Sequence, residues 1–163
     1  MRIAVIGTGS VGLVAGTYLS DTGHDVACVH VDAAKVASLR AGKIPIYEPG
    51  LAELVERGMR EKRLSFTSQL APALARAEVV FIAIGTPPSP NGEADTRAVL
   101  SVARDIGAAL RGYAVIVCKS TVPVGTHVRV HEAIALAAYS GQADHLFRSK
   151  PITCSDARRS PGA

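Results

Sequence analysis

The sequence predicts an α/β fold in one domain, a doubly wound parallel sheet followed by an irregular C-terminal tail. Three observations predict it. Apolar runs of strand length alternate with helical stretches as far as residue 138; a glycine-rich turn follows the first run; and residues 78–84 and 113–118 read as strands of largely unbroken apolar character. Such strands suit a sheet covered on both faces, because neither face meets water.

Residues 3–6 form a short apolar strand ending in glycines, and residues 11–19 a helix with no breaker except Gly12 and Gly16. Residues 25–31 repeat the strand pattern, and residues 33–40 read as a helix closed by Gly42. Pro45 and Pro49 then interrupt the pattern before an amphipathic helix over 51–59. Residues 64–67 make a short strand, and residues 69–77 a helix with Pro72 in its first turn. After the strand at 78–84, residues 85–92 are a loop by composition, and Asp95 or Thr96 caps a helix reaching about Leu110. The strand at 113–118, a turn at 121–125 and a helix at 126–138 complete the domain. Residues 139–163 show no sustained period and are expected to be poorly ordered from about residue 149.

At 163 residues and 48% hydrophobic, the chain suffices for one such core. Its net charge of +4 raises the question of an anionic partner. Most of that charge sits from His145 onward, where Arg148, Lys150, Arg158 and Arg159 face a single acid, Asp156, so no nucleic-acid face is indicated. The three cysteines, Cys28, Cys118 and Cys154, form no CxxC pair and suit a reducing cytoplasm. No apolar stretch approaches a membrane span, and the N-terminus reads as a strand rather than a signal peptide; a cytoplasmic protein is expected.

Gly7-Thr8-Gly9-Ser10-Val11-Gly12 has the GxGxxG spacing between the first strand and the first helix. Gly7 permits the tight turn, Gly9 lets a pyrophosphate approach bare main chain, and Gly12 lets helix and strand pack closely. The free amides of the first helical turn, at the positive dipole end, then face phosphate. This is the fingerprint of a Rossmann-type dinucleotide site, and it calls for an acidic residue about twenty positions on to bind the ribose hydroxyls. His30 and Asp32 fall in that window. Asp32 reaches the ribose if the strand runs slightly longer, whereas His30 hydrogen-bonds a hydroxyl or, with Lys35, tolerates a 2′-phosphate; NAD is favoured over NADP.

With those residues placed, four segments in order carry a resemblance to the N-terminal domain of the UDP-glucose/GDP-mannose dehydrogenases, the UDP-glucose 6-dehydrogenases in particular. They are IAVIGTGSVGLVAG from Ile3, IPIYEPGL from Ile44, FIAIGTPP from Phe81 and KSTVPVGT from Lys119. The resemblance implies an NAD-dependent oxidoreductase of nucleotide-sugar metabolism that oxidises UDP-glucose to UDP-glucuronate in two successive hydride transfers. It implies that Gly7, Gly9, Ser10, Val11 and Gly12 hold the pyrophosphate and that Thr86 and Pro87 line the cofactor site. Thr121 then lies near the nicotinamide and the reacting carbon, with Lys119 and Ser120 in the same loop.

Departures from the family pattern are equally specific. The family's usual ribose-binding aspartate is replaced by His30, and its usual aromatic residue by Ser10. The later catalytic glutamate and the nucleophilic cysteine of the sugar-nucleotide domain have no recognisable counterpart, and Cys154 lacks the flanking motif of that cysteine. The chain is therefore expected to be a truncated form, catalytically incomplete alone. Two other readings stand beside this one: a non-catalytic Rossmann fragment with impaired nucleotide binding, and a GDP-mannose dehydrogenase-type domain. The expected partners are NAD and, in the full-length family, a UDP-sugar; the sequence sets no oligomeric state.

Plainer roles account for the remaining candidates. Cys28 and Cys118 read as buried strand residues. His127 and His131 share a helix face, but no third ligand accompanies them, so no metal site is predicted. Arg57, Arg60, Lys62 and Arg63 gather at a helix end as a solvated cationic face.

Overall fold

The structure is a computed structural model and describes residues 1–89 and 92–141. Five strands, β1 (Arg2–Ile6), β2 (Asp25–Val29), β3 (Leu64–Thr67), β4 (Val79–Ile82) and β5 (Val115–Cys118), pair in parallel in the order β3-β2-β1-β4-β5. The chain builds outward from β1 through β2 to β3, then returns to place β4 against the other side of β1. The carboxyl ends of β1 and β4 therefore flank the topological switch point, where open α/β sheets gather their ligands. The predicted Rossmann-type doubly wound sheet is the fold observed.

Helices α1 (Ser10–Asp21), α2 (Ala33–Arg40) and α3 (Leu51–Arg60) cover one face of the sheet; α4 (Leu70–Leu74), α5 (Arg97–Ala109) and α6 (Thr126–Gly141) cover the other. The alternation of β1 explains how one apolar run serves both layers. Ile3 and Val5 pack with Leu13, Val36, Leu39, Leu51 and Val55, whereas Ala4 and Ile6 pack with Val80, Val99, Ile106, Val130 and Ile134. Each helix meets its layer through a 3.6-residue period: Leu51, Val55 and Gly58 in α3, Val99, Ala103 and Ile106 in α5, and Val130 and Ile134 in α6 are all buried.

Several boundaries differ from expectation for reasons the ladder supplies. β2 ends at Val29 because its neighbours end there too; the His30 amide makes one more bond, to the Thr67 carbonyl at 3.0 Å, and Val31 is exposed. β4 stops at Ile82, where a side chain replaces the ladder: the Ile84 amide donates to Ser120 Oγ at 3.0 Å. At the edge of the sheet, β5 begins only at Val115, and Tyr113 stands exposed. α4 closes at Leu74, and the Ala77 amide turns back to the Leu74 carbonyl.

The last helix does not stop at Ala138 but runs on to Gly141, so the irregular tail does not begin at Tyr139 as the sequence suggested. A continued helix needs only a packed stripe upstream, and Val130 and Ile134 provide it. The expectation of poor order from residue 149, and Cys154, lie outside the described residues. No described helix is long and apolar enough to cross a membrane.

Cations at the end of α3 divide between paired and unpaired. Arg57 pairs with Asp21 on α1, and Arg63 with Glu61, while no ion pair involves Arg60 or Lys62 among the described residues. These are exposed contacts of small energetic weight.

Candidate functional site

The glycine turn opens where β1 hands the chain to α1. Gly7 adopts φ +105°, and a Cβ there would lie 2.3 Å from the Ala83 carbonyl oxygen at the end of β4. The Gly7 amide donates to the Val29 carbonyl at 2.9 Å, so this one residue ties β1 to the ends of both neighbouring strands. Gly12 is equally confined, because a Cβ would come within 1.9 Å of the Gly7 carbonyl oxygen. Gly9 is the opposite case: its position is exposed and a Cβ would meet nothing within 4 Å. Two glycines are required by packing, and the third faces open space at the mouth of the helix.

Gly9 also stands at the N-cap of α1, with φ −70° and ψ −176°, and contributes no side chain to the helix end. The first intrahelical bond is Leu13 N–H to the Gly9 carbonyl, 2.9 Å, which leaves the amides of Ser10, Val11 and Gly12 ahead of the helical ladder. No acidic side chain occupies that first turn. Thr8 adds a second signal. Its Oγ1 is buried within the turn without a hydrogen-bond partner, and a buried hydroxyl in that state wants a polar neighbour. An anionic, hydrogen-bonding group such as a pyrophosphate fits these features: open space over main chain, free donors and a positive helix end.

At the carboxyl end of β2, His30 is half-buried, Asp32 exposed and Lys35 half-buried. Asp32 is the N-cap of α2, its Oδ1 accepting from the Ala34 amide at 2.8 Å and the Lys35 amide at 3.2 Å. Because β2 is not extended, Asp32 is a helix-capping residue rather than a strand residue. Burial lowers the His30 pKa first, the nearby Lys35 ammonium lowers it further, and the Asp32 carboxylate acts in the opposite direction. The three side chains therefore form one electrostatic group.

The loops after β4 and β5 are stitched together. Thr86 Oγ1 donates to the Thr121 carbonyl at 2.6 Å, joining two residues singled out from sequence. The Lys119 and Ser120 amides both donate to the Ile82 carbonyl, at 2.8 and 3.1 Å. Ser120 Oγ accepts from Ile84 N–H and approaches the Ile82 carbonyl at 3.3 Å. The Pro87 carbonyl accepts from the Asp95 amide at 2.9 Å, which returns the long loop to the start of α5. Asp95 rather than Thr96 does the capping there: its carboxylate accepts from Arg97 N–H at 2.9 Å and from the Arg97 guanidinium. That guanidinium and the amide hold the Asp95 carboxyl down to about 2.

All the sequence-predicted candidates thus stand at one edge, beyond the carboxyl ends of the strands. The turn from Gly7 to Gly12 follows β1; His30, Asp32 and Lys35 follow β2; Thr86 and Pro87 follow β4; Lys119 and Thr121 follow β5. Sequence reasoning counted neither Thr8 nor Ser120 as a site residue, although it placed Ser120 with Lys119 in the loop where ligands collect. Their signals were present, a hydroxyl between two turn glycines and a serine directly after a buried-type strand, but hydroxyl residues are common in both settings. A groove of about 430 Å³ between α5 and α6, lined by Leu100, Arg104, Arg129, Glu132 and Leu136 among others, includes none of these candidates. Cys28 is fully buried and its thiol is pushed up to about 12 by desolvation; the half-buried Cys118 thiol is raised for the same reason. Among the described residues no three His, Cys, Asp or Glu side chains come together as a metal site would need.

Comparison with known proteins identifies the domain. Residues 1–150 match the model of the UDP-glucose/GDP-mannose dehydrogenase family, NAD binding domain. UDP-glucose 6-dehydrogenase TuaD of Bacillus subtilis is 50% identical over 137 residues, covering 84% of this chain and 30% of that protein. A UDP-glucose dehydrogenase structure from the archaeon Pyrobaculum islandicum superposes with a TM-score of 0.79 at 41% identity, over 83% of this chain and 32% of its own. A GDP-mannose dehydrogenase structure from Pseudomonas aeruginosa gives 0.78 at 36% identity, over 88% and 33%. The chain spans about a third of the length of these relatives.

Proposed function

This chain belongs to the UDP-glucose/GDP-mannose dehydrogenase family and carries its NAD binding domain, and from that premise we propose that it supplies the cofactor half of a UDP-glucose 6-dehydrogenase, the oxidation of UDP-glucose to UDP-glucuronate. The observation that carries this reading is the open position at Gly9 between two glycines that packing confines. Bound NAD would supply the hydride acceptor for oxidation at the sugar's C6. The amides of Ser10, Val11 and Gly12 would hold its pyrophosphate, near the buried Thr8; His30 and Lys35 would meet the adenosine ribose, with Asp32 beside them as the cap of α2; Thr86 and Pro87 would line the path between.

Thr121 and Lys119 stand nearest the reacting carbon in this assignment. The exposed Lys119 ammonium supplies positive charge there, and the bonds from Thr86 and Ser120 hold the two loops in register so that both residues keep their places. UDP-glucose is preferred to GDP-mannose because the identity to the UDP-glucose enzyme, 50%, exceeds the 40% to a GDP-mannose 6-dehydrogenase of Pseudomonas savastanoi. Unpaired thiols at Cys28 and Cys118 support a reducing, cytoplasmic setting.

Titrating the chain with NAD while following the backbone amide resonances of residues 8–12 tests the reading. Saturable shifts there are expected; none at millimolar ligand would overturn it. The chain alone should yield no UDP-glucuronate, since the second oxidation by resemblance needs a thiolate, and burial keeps Cys28 protonated while raising Cys118. Product formation by the chain alone would show that a nucleophile has been missed.

A further inference from the structure

The ribose end of the site is built without the free carboxylate that the dinucleotide fingerprint calls for. Three observations define what stands there instead. His30 occupies the first position after β2, half-buried, with its amide fixed to the Thr67 carbonyl. Asp32, the carboxylate whose charge reaches His30, is held at the start of α2 by two amide bonds to Oδ1. Lys35 stands close enough for its charge to act on His30, and it makes no ion pair among the described residues.

We propose that His30 and Lys35 make the ribose subsite permissive for a 2′-phosphate, so that this chain accepts the phosphorylated dinucleotide NADP alongside NAD. A free carboxylate at position 30 would accept hydrogen bonds from both ribose hydroxyls and repel a phosphate placed on either. An imidazole does neither. Each ring nitrogen donates or accepts a single bond, and a donating ring N–H serves a hydroxyl oxygen and a phosphate oxygen alike. The Lys35 ammonium then supplies the point charge that a phosphate group requires. Asp32 opposes a phosphate, but its Oδ1 is held by two amides at the positive start of α2, and the Lys35 ammonium stands against its charge.

This inference rests on the dinucleotide reading, and the test separates the two. Calorimetric titration of the chain with 5′-AMP, 2′,5′-ADP, NAD and NADP isolates the extra phosphate from the rest of the cofactor. The expected result is an NADP affinity within about tenfold of the NAD affinity, and 2′,5′-ADP at least as tight as 5′-AMP. His30→Asp should move the NAD to NADP ratio at least tenfold toward NAD, and Lys35→Gln should weaken 2′,5′-ADP several-fold more than it weakens 5′-AMP. Thermal melts of both variants confirm that they remain folded. NAD binding with NADP rejected more than a hundredfold, or a ratio unmoved by His30→Asp, overturns this proposal and leaves the NAD assignment standing. Failure of all four ligands overturns both.

Discussion

The turn after β1 and the paired loops after β4 and β5 share one edge of the sheet but are fixed by different means. The glycine turn is set by exclusion: Gly7 and Gly12 lie where any Cβ would strike a carbonyl, and no side chain takes part. The loops are set by hydroxyl bonds, from Thr86 to Thr121 and from Ser120 to the end of β4. A phosphate carries no stereochemical detail beyond charge and oxygen positions, so rigid main chain suffices to hold it. In the proposed assignment a reacting carbon is placed against a particular face, and adjustable side-chain bonds across two loops suit that demand.

The sharpest way to break this comparison is at Gly12. Gly12→Ala puts a methyl 1.9 Å from the Gly7 carbonyl oxygen. That overlap should cost about 3 kcal/mol or more of stability, as severe overpacking does; a urea denaturation midpoint equal to wild type would show that the turn yields more easily than its geometry implies. Gly9→Ala should do the reverse. Nothing lies within 4 Å of the added methyl, so stability should change by less than about 1 kcal/mol, the usual Gly-to-Ala range. NAD binding should nonetheless weaken at least about tenfold, equivalent to roughly 1.4 kcal/mol, because the methyl enters the space over the amides. Calorimetry and melting on the same sample separate the two effects.

Ser120→Ala probes the loops. Removing Oγ leaves the Ile84 amide without its partner in a half-buried place, which should cost about 1–2 kcal/mol; Ser120→Thr should restore most of it if the hydroxyl bond is the cause. The smallest effect is the titration of Asp95, at the far end of the β4 loop. Its folded pKa of about 2 lies below the ordinary carboxyl value, so the contact with Arg97 contributes fully above that ordinary value and fades as pH falls toward 2. Carboxyl chemical shifts should report a midpoint near 2 that rises toward the ordinary value in Arg97→Ala. An unmoved midpoint would show that the amide bond alone holds the carboxylate.

Legibility in the sequence tracked how local each cause was. Helix α2 and strand β3 have the boundaries read from residues 33–40 and 64–67, since a glycine stop just past the helix and a four-residue apolar alternation in the strand are local signals. β2, β4 and β5 were each read too long, because an apolar residue past the last ladder bond looks the same as one inside it. The role of Asp32 was unreadable for a related reason. A carboxylate at a helix start and one at a ribose differ only by where the strand before them ends.

The chain's own letters determined the layer architecture, since each strand must be apolar on both sides and each helix along one stripe, and they determined the glycine turn, whose spacing is a property of consecutive residues. Only the tertiary structure decided that Asp32 caps a helix, and that Ser120 and Thr86 join two loops separated by more than thirty residues of chain. Those are facts of distance between segments, and distance between segments is settled by packing rather than by any run of neighbouring residues.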